Sequence, residues 1–233
     1  MSPVPLPTVL GIDCPFDDIT TLASDTRARS GGVYDYIRGP QDQRRFNVNV
    51  LTDPQRQDFE TDNNNSVVYI TGVGHGPPDG RSYLRSTSES LITVGAYPFG
   101  MFQRKIVHLF SCFDAIALGP DLVSNGCIAF FGYNAQFTFP NISQDTNTAG
   151  IFIQCDEAID RAIADGLTPQ AAYNSAKEVF QNASAALSPA DAATLATNFA
   201  ALRLLLPMPA PAKWYDWTSQ QPAVAGPTPL IVT

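Results

Sequence analysis

His75 and Cys112 are the two residues of this chain whose types and settings could make a nucleophile and its base. Each closes a short apolar run. Val67-Val68-Tyr69-Ile70 leads to His75-Gly76, and Ile106-Val107-His108-Leu109-Phe110 leads to Ser111-Cys112. Continuous runs of β-branched and aromatic residues, without alternation, are the mark of strands buried on both faces of a parallel sheet. Parallel neighbours bring their carboxyl ends to one edge, where open α/β sheets hold ligands. If the two runs are neighbours, an imidazole and a thiol share one crevice. That is the setting of a cysteine nucleophile with a histidine base.

Taken singly, both residues have plainer readings, His75 as a loop histidine and Cys112 as a buried thiol. His108 lies inside its run and reads as a satisfied core residue. Cys14, Cys127 and Cys155 sit among apolar neighbours and read as small core hydrophobes. With no CxxC pair and two histidines in the chain, neither a metal site nor a cofactor is expected. Gly72-Val73-Gly74-His75-Gly76 is no dinucleotide loop, because Pro77-Pro78 follows where a helix would have to hold pyrophosphate. Neither a Walker lysine motif nor a Gly-x-Ser-x-Gly elbow occurs.

The elements that must position the pair can be read along the chain. Strands are expected at 9–12, at 46–51 (an alternating edge strand), at 66–75, at 105–111 and at 127–133. A helix is expected near 18–27, another after Asp53-Pro54, and one from Asp114 to Val123. Segments 83–87 and 91–94 suggest a hairpin flap. Helical spacing resumes at 150, breaks at Asp165-Gly166, restarts at Thr168-Pro169, and again from Ser188-Pro189 to about Leu206. Residues 1–206 are read as a single α/β domain, and 207–233 as a Pro-rich tail packed on it, with Trp214 and Trp217 sealing the helix layer.

At 233 residues one domain is the simplest count, and 44% hydrophobic with 15% charged residues suits a globular protein. A net charge of -8 and a pI near 4.6 argue against nucleic acid or an anionic membrane as partner. No run has the length of a membrane span, and the N-terminal stretch lacks the pattern of a secretory signal. A cytoplasmic location with reduced thiols is the expectation.

The blocks ending in His75-Gly76 and Cys112 resemble those of the caspase-like cysteine peptidases, the group of caspases, metacaspases, separase, clostripain, gingipains and CHAT peptidases. Asn125-Gly126-Cys127-Ile128-Ala129-Phe130-Phe131-Gly132 resembles the strand after the nucleophile helix in the CHAT and gingipain branches. Residues 152–180 resemble the helix-loop-helix that follows it, so the likeness covers roughly 66–182. It implies a caspase–haemoglobinase-like three-layer sandwich with a mainly parallel sheet. Counted along the chain, the strand order is about 2-1-3-4, with the later strand beyond.

The resemblance further implies a cysteine endopeptidase with protein or peptide substrates. His75 would be the base, Cys112 the nucleophile, and the N–H groups of Gly76 and Cys112 the oxyanion hole. No third, orienting acid is identifiable. Ser111 stands where many relatives carry an acid before the cysteine. The family keeps pocket residues near the end of the first strand, where Asp13 stands, and a buried acid there would select Arg or Lys before the scissile bond. Asp114 is a weaker candidate for the same role. Under that specificity Arg27, Arg29, Arg44, Arg45 and Arg104-Lys105 become self-processing candidates. The chain is barely larger than a catalytic core, which leaves control to a regulatory protein partner, and some relatives need calcium. Two other readings stay open, a catalytically silent binding module on the same fold and a flavodoxin-like ligand-binding domain.

Overall fold

The computed structural model describes residues 5–40, 45–140 and 145–208 and the backbone of three short strands beyond them. Along the chain the elements are β1 (Thr8–Asp13), α1 (Asp18–Ala28), α2 (Val33–Arg38), β2 (Asn47–Thr52), α3 (Arg56–Asp62) and β3 (Val67–Val73). A hairpin, β4 (Ser82–Leu84) and β5 (Ser90–Thr93), precedes β6 (Ile106–Phe110), α4 (Leu118–Ser124) and β7 (Ala129–Tyr133). Then come α5 (Thr146–Ala164), α6 (Pro169–Ser184), α7 (Pro189–Ala201) and β8 (Leu202–Met208). The last strands are β9 (Tyr215–Asp216), β10 (Gln221–Pro222) and β11 (Thr228–Val232).

The main sheet has the order β11-β8-β7-β6-β3-β1-β2. Its five strands from β2 to β7 are parallel, in the order 2-1-3-4 with the later strand beyond, and β8 and β11 extend it in antiparallel fashion. Every residue of β3, β6 and β7 is buried. Burial on both faces is why these strands read as unbroken apolar runs, whereas the edge strand β2 alternates. One core lies between the sheet and α1, α2, α5, α6 and α7, and a second between the sheet and α3, α4 and the β4–β5 hairpin. The molecule is thus mixed α/β with helices on both faces. Among the described residues, no helix is long and apolar enough to cross a membrane.

Local chemistry explains the helix starts. Asp17 caps α1 in a reciprocal box with Thr20, and Thr168-Pro169 and Ser188-Pro189 open α6 and α7 with a hydroxyl cap and a proline at the first helical turn.

The structure departs from the expected elements in three places. The third C-terminal helix stops at Ala201, because Leu202-Arg203-Leu204-Leu205-Leu206 docks on the open edge of β7, with Leu205 opposite Phe130. An apolar run of that length is ambiguous by periodicity, and the unfilled sheet edge decides it. Residues 228–232, expected in a surface tail, form the edge strand β11 on β8. Trp214 and Trp217 lie outside the described residues. The helix expected from Asp114 starts at Leu118, since Phe113 takes a positive φ of 62° and residues 113–117 turn instead.

Candidate active site

β3 and β6 are hydrogen-bonded neighbours, with Val73 opposite Phe110, so both chains leave the sheet at the same edge. Two residues beyond the end of each strand come His75 and Cys112. Both line one cleft of about 100 Å³. The start of α1 contributes Ile19 and Thr20, and the loop after β7 contributes Gln136, Phe137 and Phe139. Phe110, Phe137 and Phe139 stack on one another with ring centroids 4.7 to 5.8 Å apart, which makes one wall a rigid apolar surface.

His75 is held by a residue the sequence reading passed over. Its Nε2 lies 2.7 Å from Oδ2 of Asp17, and its ring packs against Phe16 at 4.7 Å. The other oxygen of Asp17, Oδ1, accepts the Thr20 N–H at 2.8 Å and so caps α1. One carboxylate therefore fixes both the helix and the imidazole. Partial burial works to raise its pKa, but the Thr20 N–H and hydroxyl and the His75 ring outweigh it and hold Asp17 below the usual carboxylate value. An ionised Asp17 accepts a hydrogen bond from Nε2–H, which leaves the lone pair of the imidazole on Nδ1. The sequence suggested a helix near 18–27, but nothing local ties Asp17 before it to a histidine 58 residues away.

Cys112 is partly buried, and the Phe137 N–H donates to its Sγ at 3.3 Å. Burial raises the thiol's pKa above 9.0; the Phe137 N–H opposes this and the Asp114 carboxyl adds to it. This direction favours the neutral thiol over the thiolate. Alkylation of Cys112 by iodoacetamide should accordingly show an apparent pKa above about 9. A midpoint below about 8 in a stopped-time mass-spectrometric titration would show a preformed ion pair instead.

Gly76 packs so closely on the Cys112 loop that a Cβ there would stand 1.7 Å from the Cys112 carbonyl oxygen. Neither the Gly76 nor the Cys112 N–H meets an acceptor among the described residues; Cys112 lines the cleft, and Gly76 directly follows His75, which does. Gly76→Ala must push the Cys112 loop away. The expected outcome is a loss of thiol labelling by substrate-like probes of about 10²-fold together with a lowered melting temperature. Phe113, just after Cys112, is held at φ 62°, a backbone state that bulky residues rarely adopt; such strain gathers at functional sites.

Comparison with known proteins adds no identity. The chain matches no protein-family model and no curated protein.

The two acids expected to contact substrate lie elsewhere. Asp13 is fully buried, accepting from the Tyr34 hydroxyl at 2.6 Å, the Ser24 hydroxyl and the Val73 N–H, with Arg27 3.5 Å away. Its oxygens are occupied, and it does not line the cleft. Asp114 is also fully buried. It accepts from the Ser111 hydroxyl at 2.6 Å and the Tyr133 N–H at 3.0 Å, which ties the turn at 111–114 to β7. The missing local signal is burial itself, because an Asp at a strand end looks the same whether it faces a cleft or a core. The acid that does meet His75 is Asp17, four residues further along.

Behind the sheet a buried polar network crosses the strands. His108, opposite Thr71 in the ladder, sits between Asp160 at 2.9 Å and Asp156 at 3.2 Å, both from α5. Desolvation opposes its charge, yet the two carboxylates raise its pKa to about 10. Asp160 also accepts from the Tyr69 and Thr71 hydroxyls and pairs with Arg27 at 3.0 Å. Donor atoms of His108, Asp156 and Asp160 lie within 4.8 Å of one another, as a metal site would need. Both ring nitrogens already face carboxylates, however, which is the arrangement of an imidazolium rather than of a metal-bound ring. Arg27 and Lys105 are buried in this fold, which removes both as self-processing points, while Arg44 lies outside the described residues.

Proposed function

We propose that this protein is a cysteine endopeptidase of the caspase-like type. The reading rests on one observation: His75, oriented by Asp17, and Cys112 close adjacent parallel strands and line one cleft. The strand order supports a caspase-like sandwich, but flavodoxin-like sheets share the order 2-1-3-4-5. What separates the two readings is the site. A ligand-binding sheet of that kind has no need of an Asp–His pair and a thiol lining one cleft.

In the reaction, His75 Nδ1 takes the proton of the Cys112 thiol as Sγ attacks the substrate carbonyl carbon. The carbonyl π electrons move to oxygen, and the N–H groups of Gly76 and Cys112 are placed to receive that oxyanion. The imidazolium, steadied by Asp17, gives its proton to the leaving amine as the C–N bond breaks. Water, deprotonated by the same ring, then releases the acyl group from Sγ. Because the thiol rests protonated, base assistance is concerted with attack.

The cleft is apolar, with Ile19, Val73 and the phenylalanine wall, and Asp13 is closed off from it. An apolar residue before the scissile bond fits, and a basic one finds no acid to pair with. The test is labelling by acyloxymethyl-ketone probes ending in Leu, Phe, Arg, Lys or Asp, on wild type, Cys112→Ala and His75→Ala. Labelling by the Leu or Phe probe that is lost in both variants is expected. Labelling by the Arg probe alone would overturn the specificity. Failure of every probe on a protein whose Cys112 still reacts with iodoacetamide would overturn the peptidase reading.

A further inference from the structure

Asn198, in α7, is fully buried on the helix face that it shares with Leu195 and Ala201. Asparagine is a poor helix former, and a buried amide without partners is costlier than an apolar side chain of the same size. An asparagine at such a position is therefore retained for what it bonds. Its Oδ1 accepts the Thr138 N–H at 2.9 Å, and its Nδ2 donates to the Thr138 carbonyl at 2.7 Å. One side chain thus fixes both main-chain groups of a residue 60 positions away.

The loop that Asn198 grips is the loop that faces the thiol. No helix or strand covers residues 134–139, so their buried main-chain groups depend on outside partners. On one side the loop is tied to the last turn of α7, through Asn198 and through the Asn134 N–H, which donates to the Ala201 carbonyl at 2.9 Å. On the other side it is tied to the Cys112 turn. The Ala135 carbonyl accepts the Phe113 N–H at 3.3 Å, and the Phe137 N–H donates to Cys112 Sγ at 3.3 Å. Phe137 and Phe139, on either side of Thr138, line the cleft.

We propose that Asn198 is a positioning residue for the Cys112 thiol: by clamping the Thr138 main chain from α7, it holds the Phe137 N–H on Sγ. Asn198 does not line the cleft and acts only through the loop. A leucine of similar volume fills the same space but bonds neither group, and the loop is then free to turn the Phe137 N–H away. Burial raises the pKa of the thiol most, the Phe137 N–H lowers it, and the Asp114 carboxyl raises it further. Loss of that N–H therefore removes the contact that favours the thiolate. His75, the other titratable residue of the cleft lining, keeps its bond to Asp17 throughout.

The test is the pH profile of Cys112 alkylation by iodoacetamide, followed by mass spectrometry on the Cys112 peptide of the full chain between about pH 7 and 11. The midpoint is compared, because the plateau rate also reports access to the sulfur. Asn198→Leu is expected to raise the midpoint by about half a pH unit or more, which lowers the thiolate present at about pH 8 roughly threefold. Leu195→Ala, which opens a cavity on the same face of α7, should lower the melting temperature but leave the midpoint within about 0.2 pH units. If Asn198→Leu does not fold, Asn198→Ala carries the same expectation. An unchanged or lowered midpoint would overturn the proposal, and so would an equal rise in Leu195→Ala. Because the thiol itself is the readout, the outcome is separate from the probe screen that tests the peptidase reading.

Discussion

In an Asp17→Asn variant, peptide turnover should fall about 10²-fold in kcat while KM stays within about twofold. Asparagine is as good a helix cap as aspartate, so its carbonyl keeps the Thr20 N–H and α1 stays in place. What changes is the group facing His75. An amide N–H can approach Nε2 only if that nitrogen is unprotonated, which moves the ring proton to Nδ1. The nitrogen needed to take the Cys112 proton is then the one that carries a proton already. The same variant should alkylate normally with iodoacetamide, because the thiol's own surroundings, the Phe137 N–H and the burial, are untouched. Steady-state kinetics on a peptide chosen from the probe screen would settle it. An unchanged kcat would reduce Asp17 to a helix cap. Asp17→Ala should lose the same activity and, in addition, about 1 kcal/mol of stability from the missing cap.

The second large effect is on stability. Arg27→Met removes a fully buried guanidinium that lies 3.0 Å from Asp160 and 3.5 Å from Asp13 and donates to Thr71 at 2.7 Å. Breaking a buried pair leaves uncompensated charge, and a cost of about 3–5 kcal/mol is expected. For a chain of this size that is a melting temperature lower by about 10 °C. Arg38→Met breaks the exposed pair with Asp35 and should cost less than about 1 kcal/mol, which makes it the control. Equal effects of the two variants in urea or thermal unfolding would mean that the buried network contributes nothing particular.

The same network sets a pH window. His108 is raised from 6.5 to about 10, so its contribution is complete below pH 6.5 and is lost progressively as pH rises towards 10. Asp160 is lowered from 3.8, by His108 and Arg27 against desolvation, so its contribution is complete above that value and is lost as pH falls below it. Stability should therefore be greatest between about pH 4 and 6.5, and His108→Gln should flatten the alkaline decline. A wild-type melting temperature that holds level from pH 6.5 to 10 would contradict a charged His108.

The legibility of the chain varied with the range of the forces involved. Strands β1, β3, β6 and β7 were plain because burial on both faces demands unbroken apolar runs, and that demand is written residue by residue. The starts of α6 and α7 were equally plain, since a hydroxyl cap followed by proline acts within one turn. Leu202–Met208 was not, because leucine-rich runs serve helix and strand alike until an open sheet edge is present.

The candidate site divides the same way. The sequence by itself determined that His75 and Cys112 end buried strands, that glycine stands at 76, and that no Cys or His cluster competes for the role. Only the tertiary structure decided which acids serve the site and which serve the core. Asp13, Asp17 and Asp114 are alike as letters. Packing encloses Asp13 with Tyr34 and Arg27, seals Asp114 against Ser111 and Tyr133, and leaves Asp17 at the rim against His75. A carboxylate's task depends on its solvent and its partners, and those partners come from residues far away in the chain.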